Sequence, residues 1–171
     1  MDDIMTATEV SEYLHLCRKT VYHLAKYGTI PSTRVGNNLR FYRSEVDQFM
    51  KRLSNPAKHV MVVDDAPAVC STIKRILEEK GYIVMTVTNG QDCLNILEDI
   101  KFDKLFVDLN FDDMTGLNLV QQIRLIDKNV PITIITGYPK SDMIKELVQY
   151  GVTRIIAKPF DVHDIINDAG A

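Results

Sequence analysis

Two different patterns of apolar residues follow one another along the chain. In the first third, apolar positions favour a helix that Thr6 or Thr8 caps and that ends at Leu14, and a second helix over residues 18–27. Gly28 is typical of a helix C-terminus. Because only a short turn separates the two helices, the pattern predicts a helix-turn-helix.

Two strand-like runs and a third helix complete this part of the chain. The runs cover residues 33–35 and 39–42, and the Gly-Asn-Asn sequence at 36–38 tolerates the positive φ that a hairpin tip needs. Ser44 is predicted to cap the third helix, and Pro56 marks its end. The hairpin is a candidate wing, so residues 1–54 are predicted to form a small winged helix-turn-helix domain.

Buried strands and helices alternate in the rest of the chain. The strands are predicted at residues 59–63, 83–87, 105–107, 132–135 and 155–157. Five strand-helix units of this kind form a doubly wound parallel sheet that is covered on both faces. We therefore predict a short linker at 55–58 and an α/β domain over residues 59–171.

The two predicted domains differ in the sign of their charge. The whole chain has a formal net charge of −3, but residues 1–58 hold nine basic and six acidic residues, whereas the rest holds eleven and seventeen. No acidic residue occurs from Tyr13 to Ser44, where the basic residues are Arg18, Lys19, Lys26, Arg34, Arg40 and Arg43. This stretch has the charge that a phosphate-facing surface needs.

Other classes of protein are not favoured. No apolar run approaches the roughly 20 residues that span a bilayer, and the start of the chain lacks the profile of a signal peptide. We therefore expect a cytoplasmic protein. Cys17, Cys70 and Cys93 form no CxxC spacing, so the sequence predicts neither a disulfide framework nor a cysteine zinc site.

Charged and hydroxyl side chains follow the predicted strands. Asp64 and Asp65 end the first strand and Asp108 ends the third, while Thr136 and Lys158 follow the fourth and fifth. In a doubly wound sheet of strand order 2-1-3-4-5, the first and third strands are neighbours and ligands bind at their carboxyl ends. The three carboxylates are therefore expected to converge, and such a cluster of hard oxygen ligands suits Mg²⁺.

The same residues suit phosphoryl transfer. Asp108 is the candidate nucleophile, the metal and Lys158 would neutralise the oxygens of the transferring group, and Thr136 would hydrogen-bond the product phosphate. The alternative is that single aspartates at strand ends are only helix caps. We interpret Asp161 in this way, as a helix cap. Asp64, Asp65, Asp108, Thr136 and Lys158 occur together, so we interpret this set as a functional site.

Several short motifs resemble the signature of the receiver domains of bacterial two-component response regulators. They are Val62-Val63-Asp64-Asp65, Val107-Asp108-Leu109-Asn110 with Met114-Thr115-Gly116, Ile135-Thr136-Gly137 and Lys158-Pro159-Phe160. The match runs over roughly residues 58–168. The resemblance implies a flavodoxin-like fold.

The resemblance also implies roles for individual residues. Asp65 and Asp108 would bind Mg²⁺ together with the main-chain carbonyl of Asn110, with Asp64 contributing directly or through water. Asp108 would accept a phosphoryl group from the phosphohistidine of a sensor histidine kinase. The Lys158-Pro159 peptide bond would be cis.

Three positions depart from the family pattern. Asp112 stands where proline is usual, and Thr115 replaces a common acidic residue. Ile155 stands where such receivers usually carry an aromatic residue whose rotation reports on the contact between Thr136 and phosphate. An isoleucine cannot make that rotation, so the usual switch readout is not expected here, although this position does not affect phosphorylation itself.

The N-terminal part resembles the excisionase-type, MerR-related DNA-binding domain over nearly all of residues 5–53. The resemblance is carried by Ala7-Thr8-Glu9-Val10, Leu14, Thr20-Val21-Tyr22, Gly28-Thr29-Ile30-Pro31, Arg34-Val35-Gly36, Arg40-Phe41 and Ser44-Glu45-Val46. His15 and Cys17 stand where that family often has glycine and serine, which predicts a weaker turn and a weaker cap of the second helix.

A helix-turn-helix places its second helix in the major groove of double-stranded DNA. The candidate contacts on that helix are Arg18, Lys19, Thr20, Tyr22, His23 and Lys26. Arg34, Arg40 and Arg43, on or beside the wing, are expected to meet the backbone or the minor groove. For any one of these basic residues, a solvated surface charge is the alternative interpretation.

Three classes of function compete. The favoured hypothesis is a DNA-binding response regulator, acting as a homodimer, in which phosphate on Asp108 modulates DNA binding and transcription. The second is a phosphorylation-independent interaction module tethered to a DNA-binding domain, which Ile155 favours. The third, an enzyme, is not expected, because the first strand-helix turn, residues 64–67, has no Gly-rich phosphate cradle.

Overall fold

The computed structural model describes residues 3–139 and 142–170. The chain divides between Pro56 and Ala57 into two units. The first contains a three-stranded sheet and the second a five-stranded one. No helix among the described residues is long and apolar enough to cross a membrane.

The N-terminal unit is a helix-turn-helix with a small antiparallel sheet. Its elements are β1 (Ile4–Thr6), α1 (Ala7–Leu14), α2 (Arg18–Lys26), β2 (Thr33–Val35), β3 (Asn38–Tyr42) and α3 (Arg43–Leu53). The strands lie in the order β1-β3-β2, so the predicted hairpin forms the β2-β3 wing. The core of this unit includes the fully buried Val10, Val21, Leu24 and Val46.

The two helices of the motif have different caps. Thr6 and Glu9 form a reciprocal capping box: Glu9 N donates to Thr6 Oγ1 at 3.2 Å and Thr6 N to Glu9 Oε2 at 2.7 Å. At α2 the backbone N–H of Thr20 donates to Cys17 Sγ at 3.4 Å. Because sulfur is a weak acceptor, this cap is weaker than the hydroxyl cap of α1.

Two sequence expectations for this unit need correction. Strand β1 was not predicted; it pairs with β3 in the register Ile4 with Tyr42. Ser44 does not cap the third helix, because α3 already begins at Arg43, and the preceding Tyr42 makes no side-chain cap hydrogen bond. The chain passes directly from β3 into α3, so the end of the strand fixes the start of the helix.

The C-terminal unit is a five-stranded parallel sheet between helices. Its elements are β4 (His59–Val63), α4 (Pro67–Glu78), β5 (Ile83–Val87), α5 (Gly90–Leu97), β6 (Lys104–Val107), α6 (Gly116–Ile126), β7 (Ile132–Thr136), α7 (Asp142–Gln149), β8 (Val152–Ala157) and α8 (Val162–Gly170). The strand order is β5-β4-β6-β7-β8. Numbered within this unit it is 2-1-3-4-5, which confirms the predicted doubly wound fold.

Both faces of the central strands are buried, as the long apolar runs predicted. Val60 and Phe106 belong to a cluster with residues of α4 and α8, among them Ile73 and Ile165. Met61, which alternates with Val60 along β4 and so faces the other side, is also fully buried. The sheet therefore holds the carboxyl ends of its strands in fixed positions.

A buried cluster of charge lies at the amino end of β6. Lys104 Nζ lies 2.9 Å from Asp168 Oδ2, which also accepts a hydrogen bond from Thr133 Oγ1, and Arg154 lies 4.0 Å from Asp168 Oδ1. We call Lys104, Thr133 and Asp168 the basal cluster. Lys104 also pairs with Val60 of β4, so β6 begins one residue before the predicted strand.

Candidate functional site

Three aspartates meet at the carboxyl ends of neighbouring strands. Asp64 and Asp65 follow β4, and Asp108 follows β6, which pairs with β4 in parallel. One carboxylate oxygen from each of the three lies within 4.8 Å of the other two. The strand order thus produces the convergence that the sequence predicted.

Lys158 joins two of these carboxylates. Its Nζ donates to Asp64 Oδ2 at 2.6 Å and to Asp108 Oδ2 at 2.7 Å. The second oxygen of Asp64 accepts from the backbone N–H of Ala66 at 2.9 Å, and that of Asp108 from Leu109 N–H at 2.6 Å. We call Asp64, Asp65, Asp108 and Lys158 the acidic site. The Lys158-Pro159 bond beside it is cis, as the resemblance implied.

The electrostatics of the acidic site follow from burial and from this lysine. Burial raises the pKa of Asp64, although the hydrogen bond from Lys158 opposes the rise. Burial also acts to lower the pKa of Lys158, but its hydrogen bonds to Asp108 and Asp64 outweigh that effect and raise it. Lys158 is therefore a full positive charge at neutral pH.

The residues of the acidic site fit a divalent cation. Three carboxylates face one ammonium group, so the ionised site carries an excess of negative charge, and Asp64 and Asp108 are only 1% and 4% exposed. Every candidate ligand atom in the cluster is a carboxylate oxygen, the type that Mg²⁺ and Ca²⁺ prefer. Asn110 is exposed in the loop beside the site and pairs with Thr115 through the backbone.

Thr136 lies on the adjacent strand. It is buried at the end of β7, and its backbone carbonyl accepts from Lys158 N–H at 2.8 Å. Its side-chain oxygen accepts from the backbone N–H of Tyr138 at 3.1 Å, so the hydroxyl can still donate its own hydrogen. Ile155, at the usual aromatic position, is half-buried in β8.

Comparison with known protein families identifies the family of each unit. Residues 60–169 match the model of the response regulator receiver domain. The chain belongs to this family. Residues 4–54 match the model of a helix-turn-helix domain, so the protein joins a helix-turn-helix domain to a receiver domain, as predicted.

The receiver is similar to curated proteins of different architectures. It is 28% identical over 106 residues to sporulation initiation phosphotransferase F of Bacillus subtilis, a match of 62% of this chain and 86% of that protein. It is 29% identical over 120 residues to transcriptional regulatory protein GlrR of Escherichia coli. That match covers 68% of this chain but only 27% of GlrR, so the similarity to the regulator is confined to part of it.

Solved receiver structures are also similar. Chemotaxis protein CheY4 of Vibrio cholerae is 26% identical with a TM-score of 0.63, over 67% of this chain and 97% of that one. A response regulator from Burkholderia pseudomallei, solved with a phosphorylated aspartic acid, a calcium ion and citrate, is 29% identical with a TM-score of 0.60. That match covers 64% of each chain.

The helix-turn-helix domain carries most of the predicted DNA contacts on its surface. Exposed members of the set are Arg18, Lys19, Tyr22 and Lys26 on α2, Arg34 on β2 and Arg43 at the start of α3. His23 and Arg40 are half-buried. Thr20 is the exception: it is fully buried, and its hydroxyl lies 3.3 Å from Cys17 Sγ. Its side chain therefore belongs to the turn and cannot reach DNA from this position.

A groove joins α2 to the wing. It has a volume of about 230 Å³, and its lining includes Arg18 and Tyr22 from α2, Arg40 from β3, and Thr8 from the first turn of α1. Arg18, Tyr22 and Arg40 belong to the predicted DNA contacts, whereas Thr8 does not. Arg43 points elsewhere, with its guanidinium 4.6 Å from the centre of the Tyr13 ring.

Proposed function

We propose that this protein is a DNA-binding response regulator whose receiver accepts a phosphoryl group on Asp108. The observation that carries the proposal is the acidic site, in which Lys158 Nζ lies 2.6 and 2.7 Å from Asp64 and Asp108 at the carboxyl ends of the strands. The helix-turn-helix is the output domain. We assign no turnover of a substrate to the protein and place it in the cytoplasm, where kinase and DNA are found.

The transfer is a substitution at phosphorus. A carboxylate oxygen of Asp108 attacks the phosphorus of a kinase phosphohistidine, the bond from phosphorus to the imidazole nitrogen breaks, and the electron pair stays on that nitrogen. Lys158 offsets negative charge on the phosphoryl oxygens, and Thr136 donates its hydroxyl hydrogen to one of them. A cavity of about 240 Å³ beside Asp65 and Asn110 leaves room for the donor.

We assign the metal ligands to Asp65 and Asp108, the main-chain carbonyl of Asn110, and Asp64 directly or through water. Bound Mg²⁺ would supply positive charge that offsets both the carboxylates and the phosphoryl oxygens. The support is the fit described above: oxygen ligands, excess negative charge and burial of two of the three carboxylates.

Acetyl phosphate with MgCl₂ tests phosphoryl acceptance. We expect wild type to gain the mass of one phosphoryl group and Asp108→Ala to gain none, with a sharp drop when EDTA replaces MgCl₂. Glu79→Gln, which removes an exposed acid at the end of α4, is the control and should behave like wild type. Equal labelling of Asp108→Ala and wild type would refute the proposal.

DNA binding by the N-terminal domain needs its own test. Selection on random duplexes supplies a site, and the affinity for that site should fall steeply with added salt because phosphate contacts release counterions. Arg18→Ala and Arg34→Ala should each weaken binding by about tenfold. Arg75→Ala, an exposed arginine of the receiver, is the matched control and should leave the affinity unchanged.

A phosphorylation-independent interaction module is the alternative, and the observation that favours it is Ile155 in place of an aromatic residue. The two functions differ in how DNA binding responds to BeF₃⁻. Under our proposal BeF₃⁻ with MgCl₂ changes the DNA affinity of wild type and the oligomeric state, through formation of a homodimer, and changes neither in Asp108→Ala. Identical affinities with and without BeF₃⁻ in wild type would favour the alternative.

A further inference from the structure

The loop that follows Asp108 is closed at its base. Residues 109–115, which we call the acceptor loop, connect Asp108 to α6. The backbone N–H of Gly116 donates to the carbonyl of Leu109 at 3.0 Å, and Asn110 pairs with Thr115. A Cβ atom at Gly116 would lie 2.5 Å from the Leu109 Cα, so the two ends of the loop approach as closely as a glycine allows. The base of the loop is therefore fixed, and its tip needs a separate support.

Asp113 provides a support at the tip. Its two carboxylate oxygens accept hydrogen bonds from the first two backbone N–H groups of α5, Gly90 N at 3.2 Å and Gln91 N at 2.9 Å. Asn89, the N-cap residue of α5, bonds the next amide, that of Asp92, at 2.8 Å. The acceptor loop thus completes the cap of a helix that lies 22 and 23 residues away in sequence.

Met114 contacts the same point of α5. A Cβ atom built on Gly90 would lie 2.6 Å from Met114 Sδ and 2.8 Å from its Cγ. The absence of a side chain at position 90 therefore lets Met114 pack against the start of the helix. Two neighbouring loop residues hold the same helix end, one by charge-assisted hydrogen bonds and one by packing.

We propose that Asp113 is a positioning residue, which holds the acceptor loop on α5 so that the main-chain carbonyl of Asn110 points into the acidic site. This inference rests on the proposed function, because it concerns the metal site and the acceptor. Asp113 is not one of the proposed metal ligands or phosphate contacts. It acts through the shape of the loop between Asp108 and Thr115.

The neighbouring Asp112 makes a matched control possible. It is an exposed aspartate of the same loop with the same formal charge, and among the described residues the structure shows no hydrogen bond of its side chain. Asp112→Asn and Asp113→Asn therefore remove equal charge near the acidic site. Only the second disturbs the contact with α5, so the difference between them isolates positioning from electrostatics.

The experiment is titration of the full chain with MgCl₂, followed by NMR of the backbone amides near Asp108. We expect Asp113→Ala to weaken Mg²⁺ binding by about tenfold or more, the scale typical of groups that orient metal ligands. Asp113→Asn, which keeps one acceptor oxygen, should lose less, and Asp112→Asn should stay within about twofold of wild type. The rate of labelling by acetyl phosphate at fixed MgCl₂ should follow the same order.

Gly90→Ala tests the contact between the acceptor loop and α5 from the side of the helix. The added methyl group should displace Met114 and weaken Mg²⁺ binding, and Met114→Ala in the same chain should restore much of it. Both variants leave every proposed metal ligand unchanged.

Three outcomes would overturn the inference. A loss of unfolding free energy in Asp113→Ala with unchanged Mg²⁺ affinity would make Asp113 a helix cap only. Equal weakening by Asp112→Asn and Asp113→Asn would make the effect one of charge. Absence of Mg²⁺ binding in wild type itself would refute the proposed metal site and this inference with it, a result distinct from the first two because it does not involve the variants.

Discussion

The receiver holds two clusters of charge at opposite ends of one sheet, and they are built in different ways. In the basal cluster one lysine, Lys104, pairs with one carboxylate, Asp168, and Thr133 donates to the same carboxylate. In the acidic site a single lysine, Lys158, faces three carboxylates. The first cluster is balanced in charge and the second is not.

Hydrogen bonding does not distinguish the two clusters. Among the described residues, no buried side-chain nitrogen or oxygen lacks a hydrogen-bond partner. The difference lies in the net charge: one ammonium group faces three carboxylates in the acidic site, but only one carboxylate in the basal cluster. Within the acidic site, burial raises the pKa of Asp64 despite the lysine beside it. A buried ion pair that balances its charge can be purely structural, whereas an excess of like charge in a cleft marks a candidate site for a cation or a ligand.

The largest effect should come from breaking the balanced cluster. Lys104→Ala leaves Asp168 as a buried carboxylate with Arg154 only at 4.0 Å, so we expect the free energy of unfolding to fall by about 3–5 kcal/mol. Urea unfolding measures it. A triple variant, Lys104→Met with Asp168→Leu and Thr133→Val, should recover most of the loss. A fall in Mg²⁺ affinity in this folded triple variant would contradict the separation of the two clusters.

Removing the lysine of the acidic site should cost less. In Lys158→Ala the carboxylates of Asp64 and Asp108 repel each other, but the site faces solvent and Asp64 can take up a proton. We expect a loss of about 2 kcal/mol in the absence of divalent ions. Addition of MgCl₂ should restore stability to this variant more than to wild type, and equal responses to MgCl₂ would count against the charge-imbalance interpretation.

Neutralising a carboxylate of the acidic site should raise, not lower, the free energy of unfolding. Because the raised pKa of Asp64 shows that its charge is disfavoured in the folded state, Asp64→Asn should gain about 1 kcal/mol without divalent ions while losing phosphoryl acceptance. Asp168→Asn in the basal cluster is the comparison and should lose stability. Thermal unfolding in EDTA, with both variants side by side, distinguishes these outcomes.

Alkaline pH should produce the smallest effect. The pKa of Lys158 is raised in the folded state, so its contribution is fully present below the ordinary lysine pKa of about 10.4 and is lost as the pH rises through the higher folded-state value. The difference in unfolding free energy between wild type and Lys158→Ala should therefore be constant from pH 8 to about pH 10 and shrink above it. A difference that grows above pH 10 would contradict the assignment.

Local patterns predicted the residues of the acidic site and the order of the strands. Asp64, Asp108 and Lys158 each directly follow an apolar run that forms a strand, and the topology of a doubly wound sheet then brings the strand ends together. The run before Lys158 forms the edge strand β8, in which only Ile156 is buried, so the prediction that this strand is buried was wrong. Gly36 and the two asparagines that follow it likewise predicted the hairpin of residues 33–42. In both cases the information lies within a few neighbouring residues plus a general rule of topology.

Contacts between distant residues were not predictable in this way. In the sequence, Lys104 is a charged residue just before the predicted strand. It is buried in the structure because it pairs with Asp168, which lies 64 residues later in the chain. Strand β1 is only three residues long, and it forms by antiparallel pairing with β3, which lies more than thirty residues later in the chain. In the sequence, nothing distinguishes Asp113 from an ordinary loop residue. Its role is visible only in the structure, where it accepts hydrogen bonds from the start of α5. Thr20, by contrast, was assigned to the DNA surface because helical spacing alone does not show which residues the turn at Cys17 covers.

The three thiols differ in a way that suits chemical labelling. Cys17 is exposed, whereas Cys70 and Cys93 are buried. Burial raises the pKa of Cys70 to about 12 and also raises that of Cys93. Since only the thiolate reacts with maleimides, a brief treatment near neutral pH should place a single dye at the turn of the DNA-binding motif. The native sequence thus carries its own attachment point for a fluorescent reporter of operator binding.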